Sequence, residues 1–166
     1  RGVIDFRAGT GNRGMYGSST DNIQNNNQIL IGESASTSTA VGMYGEAANN
    51  VLNYADITIG KAAIGMYGKN VTDGISGVDN YANITSTATN AIGMYGENSG
   101  VKNAGTVAMS LAGVGIYGKN SIIENTGTII TGDTIKTGLT EETAVGIYAT
   151  GTSDVRNVSN INTGWS

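Results

Sequence analysis

Six copies of one short motif, each built around a tyrosine, constrain this chain more than anything else in it. Gly-Met-Tyr-Gly stands at 14–17, 42–45, 65–68 and 93–96, Gly-Ile-Tyr-Gly at 115–118 and Gly-Ile-Tyr-Ala at 146–149. The tyrosines are Tyr16, Tyr44, Tyr67, Tyr95, Tyr117 and Tyr148, with spacings of 28, 23, 28, 22 and 31. A second motif runs between them, an apolar residue two before an asparagine and another four after it. Its asparagines are Asn25, Asn53, Asn80, Asn103, Asn125 and Asn157, preceded by Ile23, Val51, Val78, Val101, Ile123 and Val155 and followed by Ile29, Ile57, Ile84, Val107, Ile129 and Ile161. Spacing is constant inside each motif and varies between them. Rigid units joined by elastic connections are the mark of a solenoid, in which each unit buries its apolar face only against its neighbours.

Composition decides what the unit is made of. Gly (26), Thr (20) and Asn (19) fill 65 of the 166 positions, too many poor helix formers for a helical repeat. The apolar residues are mainly Val and Ile and recur at period 2 around the motifs, which predicts short strands. The fold class expected is therefore all-β, a right-handed single-stranded parallel β-helix of about six coils of 22–31 residues, with 1–13 as a partial coil and 1–166 as one segment. Leucine-rich repeats do not fit a chain with Leu only at 30, 52, 111 and 139. Absent Pro suits central strands, where every N–H is needed.

Stacked coils should align equivalent residues in columns about 4.8 Å apart. Two positions after each tyrosine the column reads Ser18, Glu46, Lys69, Glu97, Lys119 and Thr150, alternating in sign where it is charged. Like charges on neighbouring strands would repel, so this order supports the alignment. Asn70, Asn98 and Asn120 form a further column. The parity of Asn53, Asn80 and Asn103 with the buried aliphatics points the asparagines inward as a stacked amide ladder. Gly17, Gly45, Gly68, Gly96 and Gly118 read as turn residues at positive φ. Val41 and Met43 read as one inward face, with Tyr44 outward or at a corner in an aromatic ladder.

The chain carries little equipment for chemistry. It has no Cys, so no disulfide or thiol nucleophile, and no His, the commonest general base. A net charge of −4 argues against nucleic acid, and no run approaches the roughly 18 apolar residues of a membrane span. No catalytic residue, metal site or cofactor is expected, nor membrane contact by this segment. The Gly-x-Gly-x-x-Gly matches at 9–14 and 113–118 lack the strand and helix that a dinucleotide site needs. Among carboxylates, Asp73 and Asp79 in one loop are the best pair for glycosidase-type chemistry, but solubilising acids are the plainer reading. Compared with the shortest coils, extra residues fall at about 32–39, 71–77 and 132–143, the first and third at the same corner. Loops on a rigid scaffold are where binding usually sits, which makes Glu33, Asp73, Asp79, Asp133, Glu141 and Glu142 the candidate binding residues.

Ala-Val-Gly-Met-Tyr-Gly at 40–45 and Ala-Val-Gly-Ile-Tyr at 144–148, paired with Val-Lys-Asn-Ala-Gly-Thr-Val at 101–107 and Ile-Glu-Asn-Thr-Gly-Thr-Ile at 123–129, resemble the passenger repeats of large type V autotransporter adhesins of Gram-negative bacteria. Met in the tetrapeptide, where that family more often has Ile, is a departure. The resemblance implies a β-helix stalk displayed outside the cell and tethered to the outer membrane through parts of a longer precursor. Its partners would be host or bacterial surface proteins or glycans. The chain opens on Arg1 without a signal peptide and in mid-repeat, so a fragment of a longer array is expected. Two alternatives remain: a self-assembling extracellular filament subunit associating through coil ends, and a carbohydrate-active enzyme.

Overall fold

The computed structural model describes residues 2–19, 22–71, 77–137 and 140–164, with the side chains of 136–142 outside the description. Three parallel sheets wrap one core and contain no helix among the described residues. The tyrosine sheet consists of Arg13–Ser18, Val41–Glu46, Ile64–Lys69, Ile92–Glu97, Val114–Lys119 and Val145–Thr150. The asparagine sheet stacks Asn22–Asn25, Asn50–Asn53, Val78–Asn80, Gly100–Asn103, Ile122–Asn125 and Asp154–Asn157. The isoleucine sheet has seven strands, Ile4–Phe6, Ile29–Ile31, Ile57–Thr58, Asn83–Thr85, Thr106–Met109, Thr128–Thr131 and Ile161–Thr163. Successive strands of each sheet come one from each coil, so the chain is a single-stranded parallel β-helix.

Register confirms the columns. Tyr16, Tyr44, Tyr67, Tyr95, Tyr117 and Tyr148 pair in order, and so do Asn25 to Asn157. The core is built of three aliphatic files, one from each sheet: Met43, Met66, Met94 and Ile116; Val51, Val78, Val101 and Ile123; Ile57, Ile84, Val107 and Ile129, all fully buried. Each such side chain contributes about 1.5–3 kcal/mol by leaving water.

Two sequence expectations need correction. The glycines after the tyrosines are not turn residues. They lie in the strands and face the core, where a Cβ at Gly68 would overlap Val78 Cγ2. Positive φ comes two residues later, at Ser19 (53°), Ala47 (51°), Asn70 (54°), Asn98 (51°), Asn120 (51°) and Gly151 (69°). These residues turn every coil from the tyrosine sheet into the asparagine sheet. A second such corner precedes the tyrosine strands at Gly11, Ala62, Asn90 and Ala112.

Val41 and Met43 do not share a face either. Met43 belongs to the core, whereas Val41 packs outside it with Tyr44 and Ile64. Alternation fails because Gly42 also faces in: a Cβ there would stand 2.5 Å from Gly65 O and 2.8 Å from Ile57 Cγ2. The register pairs Val41 with Ile64 and Met43 with Met66, passing over the glycines between. Two consecutive inward residues return the tyrosine to the outside.

Candidate functional site

The outer face of the tyrosine sheet is the most organised surface of the molecule. Its six rings follow one another at centroid distances of 5.3, 4.9, 4.6, 4.7 and 5.2 Å, mixing stacked, tilted and edge-on pairs. Tyr44 is buried, Tyr67, Tyr95 and Tyr117 are half-buried, and the terminal rings Tyr16 and Tyr148 are exposed. Beside the rings runs the charged column. Lys69 Nζ donates to Glu46 Oε1 at 3.1 Å and Lys119 Nζ to Glu97 Oε1 at 3.0 Å. The phenols join it, Tyr44 donating to Glu46 at 3.2 Å and Tyr67 to Glu97 at 3.0 Å.

This wiring sets the protonation states. Hydrogen bonds from Lys69 and then Tyr44 hold Glu46 below the ordinary carboxylate value, and Lys119 and then Tyr67 do the same for Glu97. Tyr67 is pushed well above a free phenol, first by burial and then by its bond to Glu97. Tyr44 shifts the same way, for burial and for Glu46. Tyr44 and Tyr67 are therefore neutral phenols beside fixed ion pairs at neutral pH.

One rung departs from the pattern. Three positions before each tyrosine the register reads Arg13, Val41, Ile64, Ile92, Val114 and Val145. Five are β-branched aliphatics, of which Val41, Ile64 and Ile92 pack with the rings of Tyr44, Tyr67 and Tyr95, and the remaining position holds a guanidinium. Arg13 Cζ lies 4.6 Å from the Tyr44 centroid and 5.1 Å from that of Tyr16. Alongside opens a cleft of about 580 Å³, walled by Asn12, Arg13, Thr37, Ser38, Thr39 and Tyr44. Its far wall is the 32–40 connection, folded back by reciprocal backbone bonds between Ala35 and Ser38. Gly11 permits this closeness, with φ of 64° and no room for a Cβ beside Ser38 Oγ.

The candidate acids scatter. Glu33 is exposed at the start of the 32–40 connection, its carbonyl accepting from Gly11 N at 3.0 Å. Asp133 is exposed at the equivalent corner four coils on, about 19 Å away along the stack. Glu141 and Glu142 belong to Thr140–Glu142, which pairs antiparallel with Ile135–Thr137, and their side chains are outside the description. Asp73 lies outside the described residues. Asp79 overturns its reading as a loop acid: it sits in Val78–Asn80 at 4 % exposure, accepting from Gly77 N at 3.3 Å and Tyr81 Oη at 3.1 Å. Among the described residues no group of three acids stands close enough to hold a metal.

Sequence reasoning missed a second charged column. One position before each motif asparagine the register reads Gln24, Leu52, Asp79, Lys102, Glu124 and Arg156, again alternating in sign. Arg156 Nη1 lies 2.6 Å from Glu124 and Lys102 Nζ 3.7 Å from it. The same alternation test that exposed the first column would have found it. Missed too were Tyr54 and Tyr81, exposed and stacked at 5.0 Å with rings 4° apart, and Arg13, whose signal was the break in a β-branched column. Compared with known proteins, the chain matches no family model, no curated protein and no solved structure.

Proposed function

We propose that this chain is a stretch of rigid extracellular repeat scaffold, a surface adhesin passenger of a Gram-negative bacterium whose role is to hold loops toward host cells or other bacteria. The arrangement of connections carries the reading. The corner between the isoleucine and tyrosine sheets is closed by short connections at 7–12, 59–63, 86–91 and 110–113, and is longer at 32–40 and 132–144. Both long connections leave the stack on one side, next to the tyrosine face, where a partner could touch both at once. A rigid ladder with loops gathered on one flank suits presentation better than turnover.

The test is to replace 132–144 with the four-residue corner Ser110–Gly113 and measure attachment of the purified chain to bacterial and epithelial surfaces. Unchanged circular dichroism with lost attachment supports the reading, and undiminished attachment counts against it. A filament subunit is the second reading, because a stack held together by coil-to-coil ladders can be extended by further coils. Light scattering that finds ordered linear oligomers of the pure chain would promote it.

A further inference from the structure

We propose that the cleft between Arg13 and the 32–40 connection binds an acidic sugar, a pyranose bearing a carboxylate, with Arg13 taking the carboxylate. The proposal rests on the presentation reading above and gives it a ligand class. Arg13 stands in a column that is otherwise Val or Ile, so the fold does not ask for a charge there. It has no carboxylate partner among the described residues. Glu46 feels its charge, but that carboxylate is already engaged by Lys69 and Tyr44. A guanidinium lying over Tyr44 and Tyr16 is oriented by the rings while its N–H edge stays free for two parallel bonds to a carboxylate.

The rest of the cleft fits a sugar better than an acidic peptide. Three consecutive hydroxyl residues, Thr37, Ser38 and Thr39, line the cleft with Arg13, offering both donors and acceptors to ring hydroxyls. About 580 Å³ is within the range of small-ligand sites. The walls are held from both sides: Val41 N donates to Asn12 O at 2.8 Å, and Ser34 Oγ accepts from Ala40 N at 3.0 Å and donates to Ala62 O at 2.6 Å.

Saturation-transfer NMR on the full chain tests this, with the methyl glycoside of glucuronic acid as probe and that of glucose as its neutral counterpart. The glucuronide is expected to bind and the glucoside to bind about tenfold more weakly or not at all. Arg13→Val installs the residue type the other coils carry, so it keeps the fold by circular dichroism and is expected to weaken glucuronide binding about tenfold or more. Arg13→Lys falls between, because a point charge lacks the planar fork. Equal binding by Arg13→Val, or equal binding of the two glycosides, overturns the proposal. A glutamate-rich peptide that competes as well as the glucuronide overturns the sugar assignment. The surface-attachment assay separates the two levels. Attachment that survives Arg13→Val unchanged, with no glucuronide signal, sinks the cleft and spares the scaffold reading. An Arg13-dependent glucuronide signal with no attachment to any surface does the reverse.

Discussion

At the scale of the residue, the ladder works by giving each position in a coil one stereochemical task. The inward asparagines show how much of this is legible in sequence: parity with Val51 and Ile57 was enough to place Asn53, and burial agrees. Backbone conformation was not legible. Glycine advertises positive φ most strongly, yet the strand-to-strand corner is held by Ser19, Ala47, Asn70, Asn98 and Asn120, with glycine only at 151. Asn tolerates that region; alanine does so at a cost of about 1–2 kcal/mol. Ala47 is exposed, so nothing is lost when its methyl is removed. Ala47→Gly should raise stability by about 0.5–1 kcal/mol, after the extra freedom of glycine in the unfolded chain is subtracted. A rise in the urea midpoint without a change in slope would check it.

At the scale of the element, each column is a linear device with its own direction. Asn25 Nδ2 donates to Asn53 Oδ1 at 2.8 Å, and the pattern continues through Asn80, Asn103 and Asn125 to Asn157 at 2.9, 2.9, 2.8 and 2.7 Å. All five donors point toward the C-terminal coil. Asn103→Leu would leave one Asn80 N–H and the Asn125 Oδ1 without partners at fully buried positions. At about 1–3 kcal/mol for each buried orphan, a loss near 3 kcal/mol is expected in chemical denaturation. The tyrosine column makes a different prediction. Tyr67 keeps its proton in the folded chain beyond the pH at which a free phenol gives it up. Its contribution to stability is therefore fully present below the unfolded phenol value near 10 and declines as pH rises above it toward the folded value. Phenolate absorbance during alkaline titration should show a late component that disappears in Tyr67→Phe. In Glu97→Gln that component should move earlier without vanishing, because burial remains when the charged acceptor is gone. The stacking of these rings was readable from the repeat. Their cover was not, because Gly42 hides the change of face that brings Val41 alongside them.

At the scale of the whole molecule, the two charged columns make the order of coils matter as well as their number. Glu46, Lys69, Glu97 and Lys119 alternate on one sheet while Asp79, Lys102, Glu124 and Arg156 alternate on another. Removing residues 97–118 excises one coil cleanly, joining Gly96 to Lys119, but sets Lys69 against Lys119 and Asp79 against Glu124. Removing 69–118 takes out two coils and leaves Glu46 facing Lys119, an opposite pair. The first deletion should gain thermal stability as salt is added, since screening relieves its repulsions. The intact chain and the second deletion should lose a little under the same titration. Melting curves at low and high ionic strength would separate these outcomes.

The alternation has a further consequence. If charge must change sign at every step, the structure returns to itself only after two steps, and the true translational period is a pair of coils. The tyrosine positions keep that period to within three residues: Tyr16 to Tyr67 and Tyr44 to Tyr95 are each 51 residues, Tyr67 to Tyr117 is 50, and Tyr95 to Tyr148, which spans the 132–144 connection, is 53. An array of this kind obeys a parity rule. It can be lengthened or trimmed by even numbers of coils with its electrostatics intact, and every odd insertion leaves a fault line of like charges that marks where it occurred.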